Sequence, residues 1–333
     1  MPWQLSGKSP FSGTLVVERL PVFTMARLTA RKLRTPLDIL DYAFRGENDL
    51  KYLDVPGFPP ILFVRDPEII KSVTLATANQ GDFDRDTLQT QGIARVLGGS
   101  NLLFSQGDIW KRHRMAAARV FGATNFQNPE IYSHMEQTIR RAVEPQIEQL
   151  ANQVRQSPTG TVEMRLESGI QAMMLNVLVN VMFGSQVPFD ELRDRYLPAI
   201  ASVIRYIMVD TVVNQARFPV LRLPSFSRRH AHVKQQRLIF EELVERVIQT
   251  RSEGAGFWPL MTAEGPEDAI RSNVRVFLAG ALEATTSYIG WALSNLARNN
   301  QARARAQAEA DNAEISPVGR EKSTYLQKVL AET

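Results

Sequence analysis

Apolar positions along the chain recur mostly at helical spacing, in long runs with recognisable starts. Thr35-Pro36 has the form of a helix start, and Leu37, Leu40, Ala43 and Phe44 then recur at helical intervals as far as Gly46. A short β region follows, in which residues 50–55 and 61–64 flank the turn Pro56-Gly57-Phe58-Pro59-Pro60 as a hairpin. Asp66-Pro67-Glu68 opens another helix. Residues 77–107 are irregular and polar, with Gly98-Gly99 and Ser105-Gln106-Gly107 as turns, so they form a long loop of the kind that carries function. Beyond it, helices are predicted over 108–121, 129–156, 166–183, 189–210, 229–252, 266–299, 301–313 and 323–333. The pattern is that of a mainly α fold, a helical bundle around a long central helix, with a small N-terminal β-sheet.

Composition narrows this picture. With 333 residues, 44% hydrophobic and 22% charged, the chain can bury a large core. No linker, repeat or low-complexity tract divides it, so a single domain over 1–333 is expected. Residues 278–296 are too interrupted by Glu283 and small residues to span a bilayer, and no transmembrane segment is expected. Glu18 and Arg19 break the apolar stretch at 15–22 that a signal peptide would need, which leaves the cytoplasm as the expected location. The net charge of +4 is spread along the chain as a solvated basic surface, and no nucleic-acid partner is expected. There is no cysteine, hence no disulfide and no zinc–thiolate site. His113, His230 and His232 lack the acidic or cysteine company of a metal site, and none is expected.

Two helices carry candidate chemistry. Asp108 can cap a helix on which Trp110 and Arg114 lie one turn apart, with Ala117, Ala118 and Phe121 on the same face and Lys111, Arg112 and Arg119 pointing away. Taken alone, the pair reads as a core tryptophan with an arginine stacked on it, worth about 0.5–1 kcal/mol. Alternatively, indole N–H and guanidinium converge on a buried carboxylate or phosphate. The second helix starts at Gly265-Pro266-Glu267-Asp268 and runs to Arg298-Asn299-Asn300. Its middle, with Val276, Phe277, Leu278, Ala281, Leu282, Ile289, Trp291 and Leu293, is apolar nearly all round and is expected to be buried on every side. Into it fall Ala279-Gly280-Ala281, Glu283 and Thr285-Thr286. Gly280 suggests close approach by another group, and a buried Glu283 would need a partner. A small-residue helix crossing, with Glu283 paired to an arginine and the threonines bonded to helix carbonyls, accounts for the same residues.

In order along the chain, four segments together resemble the cytochrome P450 family. Leu53-Asp54-Val55-Pro56-Gly57 to Asp66-Pro67-Glu68 is similar to the family's early sheet and following helix. Asn101-Leu102-Leu103-Phe104 through Trp110-Lys111-Arg112-His113-Arg114 is similar to the approach to its C helix, where a Trp and an Arg four residues later hold a haem propionate. Residues 277–286, Phe-Leu-Ala-Gly-Ala-Leu-Glu-Ala-Thr-Thr, resemble its oxygen-activating I helix. Residues 325–333 resemble the start of its K helix, with Glu332 as the acid of the Glu-x-x-Arg pair.

The resemblance implies an incomplete cytochrome P450 fold and, for the complete protein, a haem b monooxygenase that oxidises an apolar small molecule with oxygen and two electrons. It implies Trp110, His113, Arg114, Ala279, Gly280 and Ala281 as cofactor-binding, Glu283 and Thr285 as catalytic in proton delivery, and Phe277 as substrate-binding, together with residues 87–103 and 196–212. It places an electron donor, a ferredoxin or flavoprotein, near Lys111, Arg112 and Arg119. Two departures stand out. Glu283 is followed by Ala284 where the family usually has threonine, and the sequence reaches Thr333 without the K-helix arginine or the cysteine that ligates iron. The chain is therefore expected to be a fragment lacking that ligand, and the alternative function is a non-enzymatic α-helical remnant that binds a ligand or partner.

Overall fold

The structure, a computed structural model, describes residues 17–21, 41, 43–44, 46, 48–53, 61–78, 96–98, 100–105, 107–121, 127–215, 224–250, 267–312 and 324–333. The alternation near the N-terminus forms a sheet of three strands: β1 (Glu18–Arg19), β2 (Leu50–Leu53) and β3 (Ile61–Val64). β2 and β3 pair antiparallel with Leu50 opposite Val64 and Leu53 opposite Ile61, as expected of the hairpin, whose turn lies outside the described residues. β1, which its two-residue length hides from any pattern, pairs parallel to β2. Leu20 and Ala43 form a small core beneath the sheet with Leu53 and Phe63, and Lys51 is buried there against the Glu18 carboxylate at 3.3 Å. The start of the helix expected from Thr35 lies outside the described residues.

Helix α1 (Pro67–Ala78) begins where the Asp66 carboxylate accepts from the backbone N–H groups of Glu68 and Ile69, the capping that its sequence announces. After it come α2 (Gly107–Phe121), α3 (Pro129–Gln156), α4 (Leu166–Phe183), the single turn α5 (Phe189–Glu191), a π-helical turn at Leu192–Tyr196, and α6 (Leu197–Gln215). The chain continues through α7 (Pro224–Thr250), α8 (Glu267–Arg298), α9 (Asn300–Asp311) and α10 (Thr324–Ala331). Helix α7 starts five residues earlier than the periodicity suggested, because Pro224 is a good first-turn residue and the basic run that follows has no breaker.

Apolarity all round α4 has a simple cause: the helix lies between α3 and α8, so opposite faces are covered. It is also the one helix among the described residues that is long and apolar enough to cross a membrane. Leu175 and Val179 are fully buried in it, and with Phe183, Tyr196, Ile200, Phe240, Leu243, Val244 and Leu278 they make the centre of the main core. Helices α6 and α7 pack as a pair, and a seam of ion pairs ties α7 to its neighbours. Glu241 takes Arg275 of α8 at 2.6 Å, Glu245 takes Arg271, Glu242 takes Arg195 at 2.6 Å, and Arg246 takes Glu191. Helix α9 caps α10, the Glu309 carboxylate accepting from the Tyr325 and Leu326 N–H groups at 3.0 and 2.8 Å.

Packing of this kind makes α7 a good test of the core. Phe240→Ala empties a fully buried site and is expected to cost about 3–5 kcal/mol of unfolding free energy. Leu238→Ala, two residues away and 65% exposed, should change it by less than about 0.5 kcal/mol. Urea unfolding followed by circular dichroism reads both, and equal losses would place the core elsewhere.

Candidate functional site

The long loop is pinned to α8 through buried polar groups. Asn101 is fully buried, and its Oδ1 accepts from the N–H groups of Leu103 and Phe104, both at 2.9 Å, while its Nδ2 donates to the Gly98 carbonyl. Ser272 Oγ donates to the Leu97 carbonyl at 3.0 Å, and Asn273 Oδ1 accepts from Leu102 N–H at 2.9 Å. Gly98 has φ +89°, and a Cβ there would lie 1.8 Å from Ser272 Oγ, so both conformation and space demand glycine.

Helix α2 is held to the same stretch of α8. Asn273 Nδ2 lies 2.9 Å from His113 Nδ1. Because the Leu102 N–H occupies the amide oxygen, the amide nitrogen is the atom left for His113; it can only donate, so Nδ1 accepts and the neutral ring carries its proton on Nε2. Burial, and secondly the charge of Arg112, holds the His113 pKa below its ordinary value. The inward face of α2 is therefore Trp110, His113 and Ala117, with Trp110 and His113 half-buried and Ala117 buried. This corrects the predicted face: Ala118 is exposed and Arg114 is exposed at its edge, because the contact with Asn273 turns His113 inward. Lys111 and Arg112 are exposed, as expected of an outer stripe, and the side chains of Arg119 and Phe121 lie outside the described residues.

Helix α8 is not buried on every side. Val274, Leu278, Ala279, Leu282 and Thr286 face the core, whereas Gly280, Ala284, Ser287, Tyr288 and Trp291 form an open stripe, with Trp291 60% exposed. An apolar helix carries no signal of its rotation, so only the packing reveals which face is covered. Ala279 is thereby removed from the expected haem cradle into the core, Gly280 remains on the open face, and the Ala281 side chain lies outside the described residues. Exposed Glu283 and half-buried Thr285 sit on opposite edges of the stripe, about 200° apart around the helix. Among the described residues Glu283 has no ion pair, and the buried Thr286 Oγ1 has no hydrogen-bond partner, so the helix-crossing account of these groups finds no support.

The other expected substrate contacts divide. Phe277 is half-buried and packs against the main core. Tyr196 is fully buried and its hydroxyl donates to Glu242 at 3.1 Å, so it cannot line a substrate pocket. Residues 87–95 and the side chains of 207–212 lie outside the described residues.

The sequence profile of the family described as Cytochrome P450 matches residues 55–333. The chain belongs to the cytochrome P450 family. Among solved structures, the crystal structure of a cytochrome P450 (CYP102L1) is similar at TM-score 0.62 and 18% identity, over 89% of this chain and 68% of that one, and so shares its fold. No curated protein matches.

Cytochrome P450 proteins use haem b, and the described residues fit part of that group. A Cβ on Gly280 would meet nothing within 4 Å, which leaves one wall for a flat ligand. Trp110 is half-buried and Arg114 exposed one turn apart on α2, and among the described residues no carboxylate pairs with Arg114. The 333 residues contain no cysteine to ligate iron. Sequence reasoning missed Asn101, Ser272 and Asn273; Ser272 and Asn273 lie in the charged first half of α8, between Arg271 and Arg275, where nothing in the spacing marks them as buried.

Gly98→Ala is expected to destabilise the fold by about 1–3 kcal/mol from backbone strain alone, with the clash against Ser272 added. The double variant Gly98→Ala/Ser272→Ala should recover only the clash. Thermal unfolding compares the two, and a neutral Gly98→Ala would show that the loop is not pinned here.

Proposed function

We propose that the chain supplies two walls of the haem site of a monooxygenase that oxidises an apolar small molecule with oxygen and two electrons. The observations that carry this reading are the open stripe of α8 around Ala284 and, earlier on the same helix, the contact of His113 with Asn273 that ties α2, with its Trp110 and Arg114, to α8. We take residues 1–333 as a single domain acting in the cytoplasm, with the iron-ligating cysteine provided from outside these residues.

Bound haem would supply the oxygen-activating redox chemistry. Trp110 Nε1–H and the Arg114 guanidinium would hold its propionates, and the guanidinium's fork suits a carboxylate. Gly280 and Ala281 would admit the ring edge close to the helix. Glu283 and Thr285 flank the stripe, so a proton passed between them crosses Ala284, which has no hydroxyl; a water above Ala284 must carry it. Phe277 would meet the substrate from the same helix. The exposed cations Lys111 and Arg112, with Arg119, would steer an acidic electron donor, a ferredoxin or flavoprotein, towards α2. A second reading, a ligand- or partner-binding module without monooxygenase activity, is favoured by one observation, the absence of cysteine.

Haem titration of the 333-residue chain, followed by Soret absorbance, tests the walls without the missing ligand. Arg114→Ala should weaken haem binding by about tenfold or more, and Arg112→Ala should leave it nearly unchanged. Gly280→Ala should raise the stability of the haem-free chain by about 0.5–1 kcal/mol while lowering haem affinity, because alanine favours the helix and fills the open wall. No thiolate-type spectrum should appear. Equal haem binding by all four proteins would defeat the proposal.

With the cysteine provided, Glu283→Gln should lower product formed per reduced cofactor consumed, and Ala284→Thr should maintain or raise it by placing a hydroxyl midway across the stripe. Unchanged coupling in Glu283→Gln would mean that the carboxylate has no part in proton delivery.

A further inference from the structure

We propose that Asn273 is a positioning residue that docks α2 on α8 by reading a neutral His113, so that the placement of Trp110 and Arg114 follows the protonation state of that ring. Its bearing on haem rests on the function proposed above; the docking itself does not.

The single amide of Asn273, 5% exposed, serves two elements at once. Its oxygen accepts from Leu102 N–H at 2.9 Å and its nitrogen donates to His113 Nδ1 at 2.9 Å. A doubly protonated His113 presents N–H at both ring nitrogens, so Nδ1 would then face an amide nitrogen that also only donates. Turning the amide over would satisfy His113 and set the nitrogen against Leu102 N–H instead. Either way one hydrogen bond is lost in a half-buried site.

The surrounding groups give the imidazolium no compensation. Arg112, on the same helix, repels it. Helix α8 presents the neutral Asn273 amide, and residues 100–105 are Ser-Asn-Leu-Leu-Phe-Ser, without a charge. Among the described residues no carboxylate acts on the ring. The pH dependence follows. The folded state prefers His113 neutral, so the docking contributes its full stability above the ordinary histidine value of 6.5 and loses it as pH falls below that value. Asparagine, unlike aspartate, makes the contact specific for the neutral ring. An aspartate at this position would accept from Leu102 N–H and from a protonated Nδ1 together, which inverts the dependence.

Hydrogen-exchange protection of residues 100–105 and of α2 in the 333-residue chain reads the docking from both of its sides. In the natural protein, protection should fall about tenfold between about pH 8 and about pH 5, the loss of one hydrogen bond. Asn273→Asp should reverse the slope, with protection greater at the acid end. His113→Asn, whose carbonyl oxygen can accept from Asn273 Nδ2 in the position of Nδ1, should keep protection and abolish the pH dependence. A natural protein with flat protection, or an Asn273→Asp or His113→Asn profile that follows the natural one, overturns the proposal; if Asn273→Asp does not fold, the natural protein and His113→Asn decide it. Haem titration of the same proteins separates the two readings: haem binding that is absent throughout, with the exchange pattern intact, removes the haem assignment and leaves the docking.

Discussion

Two adjacent polar side chains buried on α8 set the terms for the candidate site. Ser272 and Asn273 lie 3% and 5% exposed on α8, where an unpartnered donor or acceptor would cost about 1–3 kcal/mol. Their partners come from elements distant in sequence: the Leu97 carbonyl, Leu102 N–H and His113. Satisfying them fixes where the loop and α2 can lie. The close approach at Gly98 follows from the same demand, since the loop must come within reach of Ser272.

The two ends of α8 then behave differently. Around Arg271 to Leu278 the helix is held by the polar contacts, by the ion pairs of Arg271 and Arg275 with α7, and by packing on α4. From Gly280 to Trp291 it presents the open stripe, on which Tyr288 and Trp291 remain exposed. Tyr288 is 42% and Trp291 60% exposed there, and the Tyr288 hydroxyl donates to the Leu330 carbonyl of α10. A first half anchored by these contacts, with an open face beyond it, would suit the proposed haem site, whose geometry must exist before its ligand arrives.

Legibility in the sequence follows the same physics. The hairpin, the cap at Asp66 and the extents of α3 and α4 were readable because each rests on local spacing or on a neighbouring capping residue. The parallel pairing of β1 was not, because two residues carry no period and their partner lies outside their local sequence. Trp110 and Arg114 could be placed on one helix, but the face was misjudged towards Ala118, since the contact that orients α2 comes from Asn273. Gly280 and Ala279 are neighbours with opposite fates for a related reason: a helix apolar all round contains no moment from which its rotation could be read.

What separates scaffold from site in this chain is whether a polar group is already satisfied. Asn101, Ser272 and Asn273 complete their hydrogen bonds within the protein, and nothing about them calls for a further partner. Arg114, Glu283 and Gly280 lie on the exposed side of the same two helices, with no internal partner among the described residues for either charge and empty space above the glycine. Glu241 and Glu245 on α7 each take an arginine of α8, whereas exposed Glu283 has no ion pair among the described residues. That contrast gives Glu283 no folding role among the described residues, which is what the proposed part in proton delivery requires of it.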